Sequence, residues 1–505
     1  MHSESTAHRN LIGIDPERTS AGAIAFGLLI VLAGILPAVA IAAGPGPKNL
    51  SLLVVLHASL ILWSAVRISL LVKSGVPRFL ALVFWIYVYF WLGLAPFAQL
   101  TLDTLPLPAL FPEQPLTEAS LAVWVGVLGF ELGHLFRNSP TPNAWLARLS
   151  SGNVTWTAVT FLTISSVVLT PFLVPQLGGI SAFFTSRQAI DQAAALLLSD
   201  PDKRTLLGVY SALLSVPPLV AILGWLHLRR SGRLPQNRLL TLVVFAILTA
   251  LNLIVNNPIS QPRAWFAVCV FAVVCATSWA RSRRGFPNVA VGMTLLLVAL
   301  LPFGNYFRNS QHSVPDSLAA LAAQYSISGD YDSYQQIAAG TQYVERYGFD
   351  YGAHLLGPAL FWVPRTFWPE KPRDTGVVLG EFEGYAFTNL SAPLWIETYI
   401  AGGYGLTFVT FVLIGLLWRR LDDQFVLTRA SNPGVINLIV PLVAAYQMSV
   451  LRGSLLTVSG RLAVIVILPL MLSSILRGKR ESQRTNSRQT ALGPSAVVSS
   501  HLAHL

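Results

Sequence analysis

Charge is what this chain lacks most. Only 11% of its 505 residues are Asp, Glu, Lys or Arg, while 53% are hydrophobic; a soluble domain carries about 25% charged residues. So few charges cannot cover so long a chain with a water-compatible surface. That excludes an ordinary soluble globular protein and leaves lipid as the main solvent. Cysteine is nearly absent too. Cys269 and Cys275 both fall in one apolar segment, which argues against a disulfide framework or a thiolate metal cluster and for small apolar packing residues. The net charge is +11, yet the cations flank apolar segments instead of forming one basic patch. This points to membrane topology and to no nucleic-acid partner.

Long apolar runs are what the chain has in abundance. A spanning helix needs about 20 mostly apolar residues. Such segments are predicted at 21–43, 50–72, 79–100, 119–136, 153–175, 205–227, 239–256, 264–280, 286–303, 393–417, 434–451 and 456–476. About twelve transmembrane helices make an all-α polytopic membrane protein with both termini on one side. The expected organisation is an N-terminal segment 1–20, helices one to nine over 21–303, a long loop 304–392, helices ten to twelve over 393–476, and a basic, disordered tail 477–505. The first run exceeds the apolar core of a cleaved signal peptide, about 7–15 residues. Arg137 and Arg148, then Arg229, Arg230, Arg233 and Arg238, then Arg281, Arg283 and Arg284, then Arg419 and Arg420, all fall in alternate connections. The positive side is cytoplasmic, so both termini are expected in the cytoplasm and the long loop outside.

A connection as long as 304–392 is uncommon without a use. Within it, 315–325 and 332–347 are predicted as short helices, the second with Asp332 or Ser333 as N-cap. His354 to Trp368 is too short to span and too apolar for water, so an interfacial or re-entrant segment is expected. The chain then runs through Val363-Pro364-Arg365-Thr366-Phe367-Trp368-Pro369-Glu370-Lys371-Pro372-Arg373. Its prolines preclude a regular helix and present Arg365, Lys371 and Arg373 at defined places. Guanidinium groups so placed suit a phosphate or pyrophosphate, although anchoring at lipid headgroups explains the same composition.

Other cations are expected on the same face. Arg263 ends the short turn Asn257-Pro258-Ile259-Ser260-Gln261-Pro262, Arg308 follows the ninth helix, Arg187 follows Gly178-Gly179, and Arg452 and Arg461 lie at the last outer turn. Arg461 is costly in lipid and must face a cavity or a partner. Among acids and bases, Glu397 stands at the start of the tenth helix, where the macrodipole favours its anion. His354 is a proton acceptor near neutral pH. Glu131 and His134 share a helical face at i and i+3, either as a proton relay or as a local structural pair.

The segments Gly329-Asp330-Tyr331-Asp332, Leu355-Leu356-Gly357, Val363-Pro364-Arg365, Trp368-Pro369-Glu370-Lys371-Pro372, Asn389-Leu390-Ser391-Ala392-Pro393 and Gly402-Gly403-Tyr404-Gly405 resemble the Wzy-type O-antigen or oligosaccharide-repeat-unit polymerases. The resemblance implies a GT-C-like membrane fold in the cytoplasmic (inner) membrane and a role in cell-envelope polysaccharide biosynthesis. It implies transfer of a growing glycan from undecaprenyl pyrophosphate onto a lipid-linked repeat unit, with no cofactor. Partners would be the lipid-linked oligosaccharides, membrane lipids, a chain-length regulator and a flippase. Arg187, Arg263, Arg308, Arg365, Lys371 and Arg373 would hold pyrophosphate without a metal, and Glu397, His354 and Asp330 are the candidate bases, in that order. Two alternatives stay open: an O-antigen ligase, which shares the donor, and a lipid-linked oligosaccharide flippase, which would carry its cations along a cavity within the bilayer.

Overall fold

Among the described residues the apolar runs form helices. The structure, a computed structural model, describes residues 16–42, 51–108, 111–136, 152–184, 201–258, 261–306, 328–385, 387, 390–431 and 434–471. Arg187, Arg308, Asn389, the expected helix at 315–325 and the tail 477–505 lie outside the described residues. Among those described the only β pairing is an isolated bridge between Asn153 and Gly434.

In chain order the helices are α1 (Ser20–Ala42), α2 (Leu52–Ser74), α3 (Phe79–Thr101), α4 (Glu113–Leu135), α5 (Trp156–Gln176), α6 (Gly208–Arg230) and α7 (Arg238–Val255). Then follow the shorter α8 (Ala264–Ala276) and α9 (Gly285–Val298). In the long loop lie α10 (Ser333–Tyr347) and α11 (Thr375–Phe382). Last come α12 (Leu394–Thr428), α13 (Ile436–Arg452) and α14 (Leu455–Met471). Eight of these, α1 to α7 and α12, are long and apolar enough to cross a membrane. The remaining expected segments form the shorter apolar helices α8, α9, α13 and α14.

The packing separates a core helix from lipid-like surfaces. The N-terminal half of α3, from Phe79 through Leu92, is buried throughout. By contrast Phe26 of α1, Phe161 and Phe172 of α5, and Leu239 and Leu253 of α7 are exposed. Large apolar side chains spread over several outer helices suit contact with acyl chains, not water. Within α3, Val88–Leu94 is π-helical. Such a bulge takes a carbonyl out of the regular ladder, and the Leu92 carbonyl accepts instead from His57 Nδ1 at 2.7 Å. The other ring nitrogen of His57 lies 3.1 Å from Ser120 Oγ, which is 3.0 Å from the Tyr334 hydroxyl. One buried polar chain therefore ties α2, α3 and α4 to the loop helix α10.

The closest helix pair is α4 with α12. A Cβ at Gly133 would lie 2.0 Å from the Val412 carbonyl oxygen, and one at Gly415 would lie 2.3 Å from that of Phe130. Gly129 and Gly133 repeat at the small-xxx-small spacing that lets two membrane helices approach backbone to backbone. Gly133→Ala should therefore force α4 and α12 apart, costing about 1–3 kcal/mol by overpacking. A lowered thermal midpoint of the detergent-solubilised protein is the expected reading, and an unchanged midpoint would show that the seam can give way.

Candidate active site

The long loop closes over the start of α12. Its docking begins with a break in that helix: Gly402 and Gly403 depart from helical geometry, and Gly403 takes φ 65°, a region that favours glycine. The ring of Phe349 sits within 3.2 Å of where a Gly403 side chain would start. Beside the break, the Ile400 carbonyl accepts the backbone N–H of Asp350 at 3.1 Å. The Asp350 carboxylate then organises the turn that follows. Its oxygens accept from the backbone N–H groups of Gly352 and His354 at 2.9 and 3.0 Å, and one of them also accepts from His354 Nδ1.

His354 thus has a fixed direction. An ionised carboxylate only accepts, so Nδ1 carries a proton, and in the imidazolium Nε2 carries one as well. Nε2 points at Glu397, 3.1 Å from Oε2. Burial works against a charge on His354, but Glu397 and Asp350 outweigh it and raise its pKa above the ordinary histidine value.

Glu397 is fully buried, so its carboxylate needs partners. Oε2 accepts from the Thr375 hydroxyl at 3.0 Å, and Oε1 accepts from the Leu455 backbone N–H at 2.9 Å. The carboxylate therefore sits at the first turns of α12 and α14, both of which favour an anion. Thr375 is positioned because Asp374 caps α11, accepting from Gly376 and Val377, and is itself held by the Thr457 hydroxyl.

A second cluster lies on the other side of the Arg452–Leu455 turn. Asp332 occupies the N-cap position of α10, yet its side chain makes no capping bond. It pairs with Arg452 at 3.1 Å and accepts from the Ser391 N–H at 3.0 Å. Asp330 acts electrostatically on Arg452, and its own backbone carbonyl accepts from the Trp91 indole at 3.0 Å. The predicted bases therefore separate: Glu397 and His354 meet in one contact, whereas Asp330 belongs to the Arg452 cluster.

The predicted cations separate as well. The segment from Val363 to Arg373 is a series of turns without helix, as its prolines dictate. Lys371 is 5% exposed, and its ammonium donates to the carbonyls of Phe361 and Val363. Arg365 donates to the carbonyls of Lys371 and Pro372. Both cations hold the loop's own backbone, a use that composition cannot distinguish from phosphate binding. Arg373 differs: it is half exposed and makes a bidentate pair with the equally exposed Glu381. Arg263 begins the helix that contains α8, and Arg461 lies in α14, stacked 4.2 Å over Trp265 and donating to Ser211 Oγ at 2.9 Å. Around this site Tyr351, Leu356, Trp362 and Phe367 are exposed, an apolar fringe suited to the membrane interface. Among the described residues no group of three His, Cys, Asp or Glu side chains could hold a metal ion.

Asp350 and Thr375 are the site residues that the sequence alone did not disclose. The one local signal was the i, i+4 spacing of Asp350 and His354, which means little outside a helix. No protein-family model, curated protein or solved structure matches this chain.

The raised pKa of His354 fixes the sign of a pH effect. A histidine that binds its proton more tightly when folded contributes stability that is complete below its unfolded pKa, about 6.5, and is lost as pH rises through the folded pKa. The thermal midpoint of the native protein should therefore exceed that of His354→Gln most below the ordinary histidine pKa, about 6.5, with the gap narrowing as pH rises above it. A gap independent of pH would remove His354 from the ion-paired state.

Proposed function

We propose that this chain is a Wzy-type polysaccharide polymerase with twelve membrane helices, both termini cytoplasmic and the long loop on the outer face of the cytoplasmic membrane. It lengthens a glycan by moving it from undecaprenyl pyrophosphate onto a lipid-linked repeat unit. The observation that carries this reading is the Asp350–His354–Glu397 array, built from the loop that bears the polymerase-like motifs and bordered by an exposed arginine and an apolar fringe.

The array supplies the chemistry such a transfer needs. The acceptor hydroxyl must lose a proton as it attacks the anomeric carbon, and the pyrophosphate must leave with its charge stabilised. His354 is the base in its neutral form: Asp350 keeps the proton on Nδ1, and Nε2, once it has given up the proton it shares with Glu397, takes the hydroxyl proton. Glu397 has both oxygens engaged, so its part is to stabilise the imidazolium that forms. This reverses the order expected from sequence, where Glu397 stood first. For the leaving group, Arg373 is an accessible guanidinium among the described residues, since a solvent-exposed ion pair such as that with Glu381 is weak and exchangeable. Arg365 and Lys371 support the loop that presents it. A flippase would need its cations along a membrane cavity, and the loop-borne array favours the transferase.

The test is lengthening of a cognate lipid-linked repeat unit by the purified protein, read by gel or mass spectrometry. His354→Gln should lower the rate about 10²- to 10⁴-fold, the usual contribution of a general base. Glu397→Gln removes a carboxylate that raises the His354 pKa, so the rising limb of the pH–rate profile should move to lower pH. No lengthening by folded wild-type protein would overturn the polymerase, and an unmoved limb would overturn the role given to Glu397.

A further inference from the structure

The opposite end of the same helices holds a second polar site. Glu397 lies in the first turn of α12, and Arg419 lies toward its other end, beyond the break at Gly402 and Gly403. Around Arg419 a cavity of about 270 Å³ opens, lined by Arg67, Leu70, Leu71, Ser74, Arg78, His134, Leu135 and Arg419. Every ionisable side chain in that lining is a cation or a histidine. Arg67, Arg78 and Arg419 all act electrostatically on His134, so the four converge.

The carboxylates nearby leave guanidinium donors unused. Arg67 lies 2.6 Å from Glu131, which also accepts from the Trp63 indole. Arg78 and Arg419 share one carboxylate, Asp423, at 3.0 and 2.8 Å. Asp422 is fully buried and spends both oxygens on backbone N–H groups at the start of α3, from Leu80 and Ala81, acting on Arg78 only electrostatically. Three guanidinium groups thus pair directly with two carboxylates, Glu131 and Asp423, and each guanidinium carries more donors than one ion pair uses. His134 is 5% exposed and lines the cavity beside these cations.

We propose that this cavity binds a phosphate group, held by Arg67, Arg78 and Arg419. The apolar rim at Leu70, Leu71 and Leu135 fits a phosphate carried by a lipid at that membrane surface as well as one free in solution. The site is distinct from the Asp350–His354–Glu397 array and does not depend on the polymerase reading.

The purified full-length protein in neutral detergent is titrated with inorganic phosphate and, separately, with dihexanoyl phosphatidic acid, the thermal midpoint being read at each concentration. Dihexanoyl phosphatidylcholine serves as control. A saturable rise with at least one of the two anions, and none with the control, is expected. Arg419→Gln should weaken it about tenfold or more, the loss of one charge-assisted contact. Because that variant leaves Asp423 with one partner fewer, Ser74→Asp provides the second: Ser74 is exposed on the cavity wall and outside every ion pair described, and an added carboxylate there should abolish the rise. A response to phosphatidic acid alone assigns a lipid headgroup, and a response to both anions assigns a free phosphate site. No saturable rise with either anion, or an equal response in both variants, overturns the proposal.

Discussion

A carboxylate buried to the last atom must be given partners, and the loop end of this protein is arranged around meeting that demand for Glu397. Its hydroxyl donor comes from α11, its backbone donor from the start of α14, and its cationic neighbour from the turn after Asp350. Each partner belongs to a different segment, so the loop cannot leave without exposing an unpaired charge in an apolar surrounding. Breaking such an arrangement by removing one member costs about 3–5 kcal/mol in typical buried pairs. This requirement holds a long connection against the helices, where hydrophobic burial alone would specify no single geometry.

The helix break at Gly402 and Gly403 and the bulge in α3 act in the same sense. Both interrupt a regular ladder, and at both a nearby backbone carbonyl serves a partner from another element: Ile400 takes the N–H of Asp350, and Leu92 takes the ring N–H of His57. A membrane helix hides its backbone polarity by internal bonding. Irregular turns are where that polarity becomes usable for docking, and here the loop is docked through them.

Polar chemistry is segregated to the two ends of the bundle. One end gathers the Glu397 and Asp332 clusters on either side of the Arg452–Leu455 turn, and the other gathers Arg67, Arg78, His134 and Arg419. Between them the α4–α12 glycine seam lets two backbones touch, and the interior of α3 is apolar. Ionisable groups at the ends of long apolar helices avoid the cost of the bilayer centre.

The amino-acid sequence by itself determined that the chain is an all-helical membrane protein, because apolar run length is a local property that sets helix position almost without regard to partners. It also determined α10, the start of α12 at Glu397 and the irregular Val363–Arg373 segment, since capping patterns and prolines act within a few residues. It could not distinguish an arginine that binds a ligand from one that binds its own loop, so Arg365, Lys371 and Arg373 looked equivalent. It could not join Asp350, His354, Thr375 and Glu397, or bring Arg67 to Arg419. Apart from the Asp350–His354 pair, those contacts span tens to hundreds of residues, and only the packing of helices decides which ends meet. Tertiary structure therefore chose, from many plausible acids and cations, the few whose burial forces them together.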